Sequence, residues 1–306
     1  MRRRSLSLSI LTATLVLVFL STPALAGLLV SVDWLAGHKD DPNVVVVDVQ
    51  NKPPSYAKGH IPGALRVVRH VDLEDPNRYP PNKYPGREQF LALMARLGIS
   101  NQTTVVAYDD HHGIFASRFL FVMELYGHDT AKLKLLNGGI KAWQAAGRPL
   151  TTKPANARSA AAYTASGPNQ NLLVSWSRVF RDVVQGQDPR VALHDARPKA
   201  EFKGDKIRAI RGGHIPGAIN LTGVDAANHK NEQTFKPIDE IRAAFVKAGI
   251  TPDKTVYTYC HSSDRAAHAY MVLKHLLGYP DVKVYEGAWK EWGNLTALPA
   301  ANETLP

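Results

Sequence analysis

Apolar positions along the chain fall into short β-branched runs that alternate with amphipathic stretches. Val44 to Val47 and Val256 to Tyr259 are apolar almost throughout, the pattern of strands covered on both faces. Beyond the second run, Ala269, Val272, Leu273, Leu276 and Leu277 recur at helical spacing. Gly278 then supplies a C-terminal stop. Strand-like runs alternating with helical stretches predict an α/β fold whose mostly parallel sheets are flanked by helices.

The pattern occurs twice. Gly59-His60-Ile61-Pro62-Gly63-Ala64 returns as Gly213-His214-Ile215-Pro216-Gly217-Ala218, 154 residues later. Each copy follows an apolar run ending in Asp, at Asp48 and Asp195, and Thr104 to Tyr108 answers Thr255 to Tyr259. Gly127 matches Gly278, and Gly138 with Trp143 matches Gly287 with Trp292. Solenoid repeats run to about 20–50 residues, so a period this long marks a duplicated domain. The expected domains are 27–150 and 172–306. Between them, 151–171 is rich in Ala, Ser, Thr, Asn, Gly and Pro without periodicity, as in a linker. The tail from about Leu298 is expected to fray.

Arg2, Arg3 and Arg4 precede a mostly apolar run, Leu6 to Leu20, and the segment Ser21-Thr22-Pro23-Ala24-Leu25-Ala26. A basic start, a short apolar core and a small-x-small end predict a secretory signal peptide, 1–26, cleaved after Ala26. The apolar run is short for a membrane span and carries Ser and Thr. The expected mature protein is soluble, without a membrane partner, and periplasmic or secreted. Loss of the three arginines lowers the net charge from +10 to +7. Lys and Arg form no run elsewhere and acidic residues are mixed in throughout, which argues against a nucleic-acid partner. A generally positive surface suits small anionic substrates.

One cysteine, Cys260, makes an intrachain disulfide impossible. An unpaired thiol in an oxidising compartment is a liability unless buried or used. Its context points to use. Tyr259-Cys260-His261-Ser262-Ser263-Asp264-Arg265 joins the strand ending at Tyr259 to the helix running to Leu277. Open α/β sheets bind ligands at the carboxyl ends of their strands. The positive end of the following helix, the loop amides and Arg265 all favour thiolate over thiol. Asp264 places a negative charge in the same loop, unless it caps the helix.

With these motifs in this order, the sequence resembles the tandem-domain rhodanese (thiosulfate sulfurtransferase) family. The likeness rests on Gly-His-Ile-Pro-Gly-Ala in both halves, Asp195-Ala196-Arg197, the Cys260 loop, and the closing segment Glu286-Gly287-Ala288-Trp289-Lys290-Glu291-Trp292. It implies two tandem rhodanese-like domains and a ping-pong reaction needing no cofactor or metal. Cys260 takes sulfane sulfur from thiosulfate, a small anionic donor, and passes it from a persulfide to a nucleophilic acceptor, cyanide or a thiol. Arg197 matches the family's substrate-binding arginine. Arg265 is a second anion-binding candidate, His261 a group that polarises or screens the persulfide, and Ser262, Ser263 and Asp264 contribute the loop backbone. Many family loops carry Gly where Ser263 stands. The loop matches neither the two-basic-residue type of thiosulfate-preferring members nor the Gly-Ser-Gly type that prefers 3-mercaptopyruvate, so donor preference stays open.

In the first half, Asp109 takes the position of Cys260 and Gln50 that of Arg197. That half is expected to be catalytically silent and to close one wall of the cleft. Asp109-Asp110-His111-His112 carries no evident third ligand for a metal. The repeated Gly-His-Ile-Pro-Gly-Ala segments suit turns better than ligands, and Trp289 and Trp292 suit core packing. Two further functions compete: a non-enzymatic sulfur carrier, and a phosphatase or arsenate reductase using a related cysteine loop. The latter needs five residues between cysteine and arginine, and four separate Cys260 from Arg265.

Overall fold

The computed structural model describes residues 27–302 other than 231; the expected signal peptide lies outside the described residues. The first half forms a five-stranded sheet of β1 (Leu29–Val30), β2 (Val44–Asp48), β3 (Leu65–Arg66), β4 (Thr104–Tyr108) and β5 (Leu133–Leu136), ordered β1-β5-β4-β2-β3. The second forms a four-stranded sheet of β6 (Val191–Asp195), β7 (Ala218–Asn220), β8 (Thr255–Tyr259) and β9 (Val282–Val284), ordered β7-β6-β8-β9. All these pairings are parallel. β2 is buried along its whole length, so its valines meet apolar neighbours on both faces and β-branched side chains pack well there.

The duplication extends to register. Val44 to Asp48 pair with Thr104 to Tyr108, and Val191 to Asp195 with Thr255 to Tyr259. Each central pair therefore ends with an aspartate beside a tyrosine. The Tyr108 hydroxyl donates to Asp48 at 2.6 Å and accepts from the Ile61 amide at 3.0 Å. Tyr259 likewise accepts from the Ile215 amide at 3.2 Å. The repeated Gly-His-Ile-Pro-Gly-Ala segments are thus turns clamped to the sheet's carboxyl edge. Their histidines stack on a neighbouring ring, His60 on Tyr56 at 3.7 Å and His214 on Phe202 at 3.6 Å. Gly213, at φ +97°, brings its backbone so close to Ala301 that a Cβ would sit 2.0 Å from the carbonyl oxygen.

The halves meet through the helices Ile114–Leu125 and Asp264–Tyr270, the latter continuing in wider turns as Met271–Leu276. Phe121 meets Tyr270 edge-on at 4.7 Å, and Glu124 accepts from Tyr270 at 2.7 Å and pairs with His275 at 2.8 Å. One hydrophobic cluster runs through both halves, from Val105 and Phe119 to Ala267 and Leu273. The segment expected as a linker straps across the first half: Tyr163 packs edge-on against Phe90, and Thr164 exchanges two hydrogen bonds with Asn101. The tail corrects one expectation. Ala301 pairs with His214 through two backbone bonds of 2.8 and 2.9 Å, so the chain is held past Leu298. No helix among the described residues is long and apolar enough to cross a membrane.

Candidate active site

Cys260 lies just beyond the carboxyl end of β8 and is 1% exposed. Its carbonyl accepts from Trp289 at 2.9 Å, and that of His261 from Lys290 at 3.0 Å, which tie the loop to the closing segment. Ser263 adopts the left-handed conformation (φ +68°) that glycine fills most easily. Its hydroxyl, donated to the Glu286 carbonyl at 2.5 Å, fastens the turn. His112, at the matching position of the first half, takes the same conformation with φ +60°, so serine leaves the backbone path unchanged.

The silent half shows what this loop is built to hold. The Asp109 carboxylate, in the place of Cys260, accepts four backbone N–H groups: His111 at 2.7 Å, Gly113 at 2.9 Å, Phe115 at 2.8 Å and Ala116 at 3.0 Å. Burial pushes this carboxyl up, against the amides that favour its charge. A loop of this shape is an anion cradle. In the second half the matching amides belong to Ser262, Asp264, Ala266 and Ala267, but the helix starts one residue earlier there and Ala267 donates to the Ser263 carbonyl at 2.9 Å, leaving the first three to the loop.

Asp264 does not cap the helix; the cap position is Ser263, without a side-chain capping bond. Its carboxylate faces the first half instead, where Arg69 grips it through Nε at 2.5 Å and Nη2 at 2.6 Å. Ser262 donates to it at 2.9 Å, and Arg118 stands 3.5 Å away. Burial alone would raise this carboxyl, but Arg69 and then Arg118 hold it below the ordinary carboxylate range. The charge expected to oppose anion binding is therefore cancelled from across the domain boundary. Arg118, fully buried, also donates to the carbonyls of Ser262 (2.9 Å), Leu73 and Asn82 (both 2.7 Å).

The cleft outside Cys260 has a volume of about 490 Å³ and takes Arg69, His111, Arg208, His261, Arg265 and Lys290 among its lining residues. His261 lies in it, but burial, with Arg208 and Arg265 nearby, lowers its pKa to about 4. It is a neutral imidazole at pH 7, unable to screen a persulfide by charge. Arg265 contacts the Glu201 carboxylate at 3.4 and 3.5 Å.

Arg197 is where the structure departs most from expectation. It is 1% exposed and does not line the cleft. Its guanidinium is taken up by Asp195 at 2.6–3.0 Å and the Gly213 carbonyl at 2.8 Å. The Trp289 ring covers it at 4.5 Å. Trp289 and Trp292 are core residues of the second half. Arg197 thus braces β6 and the turn at Gly213 behind the loop, and the cations facing the cleft are Arg208, Arg265 and Lys290, with Arg69 committed to Asp264 and Glu74. Sequence reasoning missed Arg69, Arg118, Arg208, Lys290 and Glu201. Arg118 had a signal, as the lone charge in the mostly apolar run Ile114–Val122. Among the described residues, no three His, Cys, Asp or Glu side chains gather as a metal site.

A buried cysteine at a strand's carboxyl end, opening a loop that lines a cationic cleft closed by a duplicated domain, defines a class: proteins that transfer a group through a cysteine from an anionic donor. Within that class, the chain belongs to the rhodanese family. The rhodanese-like domain model matches residues 31–146 and 182–295. The chain is 37% identical over 281 residues to the sulfur carrier protein TtuD of Thermus thermophilus, covering 89% of this chain and 96% of that one. It is 36% identical over 279 residues, with the same coverages, to a Mycobacterium bovis protein named "Putative thiosulfate sulfurtransferase 1". Among solved structures, an anaerobic ergothioneine biosynthesis enzyme of Chlorobium limicola with trimethyl histidine superposes with a TM-score of 0.76 at 26% identity. That match covers 91% of this chain and 70% of that one. A persulfide form of an EanB variant with ergothioneine superposes with a TM-score of 0.79 at 25% identity, covering 91% and 71%. The family's chemistry is sulfur transfer through a cysteine persulfide, and the chain is a sulfurtransferase in that sense.

Proposed function

We propose that the chain moves sulfane sulfur from thiosulfate through a persulfide on Cys260 to cyanide or a thiol. The observation that carries this reading is the placement of the sole cysteine, itself buried, at the start of a loop whose His261, Ser262, Asp264 and Arg265 line a cleft together with Arg208 and Lys290. Thiosulfate is a small dianion that such a cleft attracts. The Cys260 thiolate attacks the outer sulfur, a new S–S bond forms, and the old one breaks with its electron pair leaving on sulfite. Cyanide then attacks the terminal sulfur, thiocyanate departs, and the thiolate returns. The loop amides, matching those that serve Asp109, stabilise the persulfide anion.

A carrier role is the second reading, favoured by the likeness to a sulfur carrier protein. It uses the same loaded cysteine without rapid turnover. One experiment separates the two. The protein is incubated with thiosulfate and cyanide, thiocyanate is followed, and intact mass is taken with and without donor. Expected are a gain of one sulfur atom and sustained thiocyanate formation, both abolished in Cys260→Ser. Loading without turnover favours the carrier; no adduct, with hydrolysis of an aryl phosphate, removes both readings. With 3-mercaptopyruvate in place of thiosulfate, a higher kcat/KM would reassign the donor.

A further inference from the structure

The catalytic half differs from its silent twin in another respect. Aligning Asp48 with Asp195 sets Pro54 against Glu201, and aligning Asp109 with Cys260 sets Ile114 against Arg265. From the aspartate to the repeated Gly-His turn is eleven positions in the first half and eighteen in the second, and the longer stretch carries Arg208. Glu201, Arg208 and Arg265 therefore accompany Cys260 and have no counterpart in the other half.

These three side chains meet behind one wall of the cleft, which Arg208 and Arg265 line. Glu201, on the short helix Lys199–Lys203, is 3% exposed. Arg208 Nη1 stands 3.3 Å from Oε1, while Arg265 Nη1 and Nη2 stand 3.4 and 3.5 Å from Oε1 and Oε2. The lengths decide what this cluster is for. Charge-assisted pairs that hold a structure close to about 2.7–2.9 Å, and Arg197 with Asp195 and Arg69 with Asp264 both reach 2.6 Å. Glu201 is held loosely by comparison. Both arginines line the cleft, and Arg265 feels the charge of Cys260 as well as that of Glu201. A buried carboxylate behind two such arginines draws on the same guanidinium N–H groups that an anion in the cleft would use.

We propose that Glu201 is a built-in competitor for the substrate anion: it holds Arg208 and Arg265 when the cleft is free, yields them to the donor, and reclaims them as sulfite leaves. As a positioning residue acting through the arginines, it weakens donor binding and hastens release of the anionic product. The sulfite step rests on thiosulfate being the donor, whereas competition for the arginines does not.

The test is Glu201→Gln, which keeps shape and removes charge. Sulfate, an unreactive dianion, is titrated as a protectant of Cys260 against iodoacetamide. The half-protecting concentration is expected to fall about ten-fold, a modest share of the coupling that close charge pairs reach. In turnover, KM for thiosulfate falls with it, kcat falls where sulfite release limits, and sulfite inhibits at lower concentration. A carboxylate serving only as a support predicts the reverse, with KM rising and protection weakening. That result, or sulfate acting equally or not at all on both proteins, overturns the proposal. Tighter sulfate protection without thiocyanate formation by the unaltered protein would remove thiosulfate as donor and leave the competition intact. If Glu201→Gln does not fold, Glu201→Asp withdraws the carboxylate by one methylene and is expected to shift the same measurements in the same direction, less far.

Discussion

Two arginines within a few residues of Cys260's neighbours in space have opposite duties, and substitution should separate them. Arg197 neutralises fully buried Asp195, so Arg197→Ala strands a carboxylate. A loss of about 3–5 kcal/mol is expected, seen as a lower denaturant midpoint. Arg208, 42% exposed at its side chain, braces nothing comparable. Arg208→Ala should raise KM for thiosulfate several-fold, with kcat and the denaturant midpoint little changed. Equal losses of stability from both would show that Arg208 is structural too. The difference was hidden from the sequence, where Arg197 sits in a recognisable Asp-Ala-Arg segment and Arg208 in none. A motif fixes the position of a side chain along the chain, but the direction of a guanidinium depends on which carboxylate lies nearest. Cys260 was legible for a simpler reason: it is one of a kind and follows a strand.

At the scale of the element, the repeated turns are the parts that set the sheet's carboxyl edge. Gly213→Ala forces a Cβ to within 2.0 Å of the Ala301 carbonyl at a φ of +97°. Relief requires the Ala301 strap to leave, and a loss of more than about 1–2 kcal/mol is expected from the combined strain. Gly147→Ala makes a control, since its φ of +68° is also positive but nothing stands within 4 Å. The alternating strands and helices, the duplication and the turn character of these segments could all be read from apolar period and spacing. The pinning of the tail could not, because Ala301 and His214 pair through backbone atoms that any residue supplies.

For the molecule as a whole, the stability of the closed pair of domains should depend on pH through His268. This imidazole is buried between the halves, against the backbone of His112. Burial, with His112 and His111 close by, lowers its pKa to about 3. The unfolded chain takes up the proton near pH 6.5 and the folded one does not until about 3. Stability is therefore fully present above about pH 6.5 and falls as pH drops toward 3, by up to about 1.4 kcal/mol per pH unit. Urea unfolding at a series of pH values should show this slope, reduced in His268→Phe. Asp264 adds to it at the acid end: its depressed carboxyl stabilises above the unfolded value of about 3.9, and that contribution is lost as pH falls through the folded value. The link from Arg69 to Asp264, 195 residues apart, had no mark in the sequence, because nothing in either half alone shows which surfaces will face each other.

Asp109 gives the first half a ligand it can never release. Its four amide bonds are satisfied from within the chain, so that loop is the same whatever the solution contains. The loop at Cys260 has no such tenant; its occupant arrives, changes and departs with every cycle. Hydrogen exchange at 262–266 should accordingly slow when sulfur is loaded, while exchange at 111–116 stays fixed. The molecule is a pair of like parts of which one is permanently in its occupied state. It serves as the still frame against which the other can move through its states without losing its place.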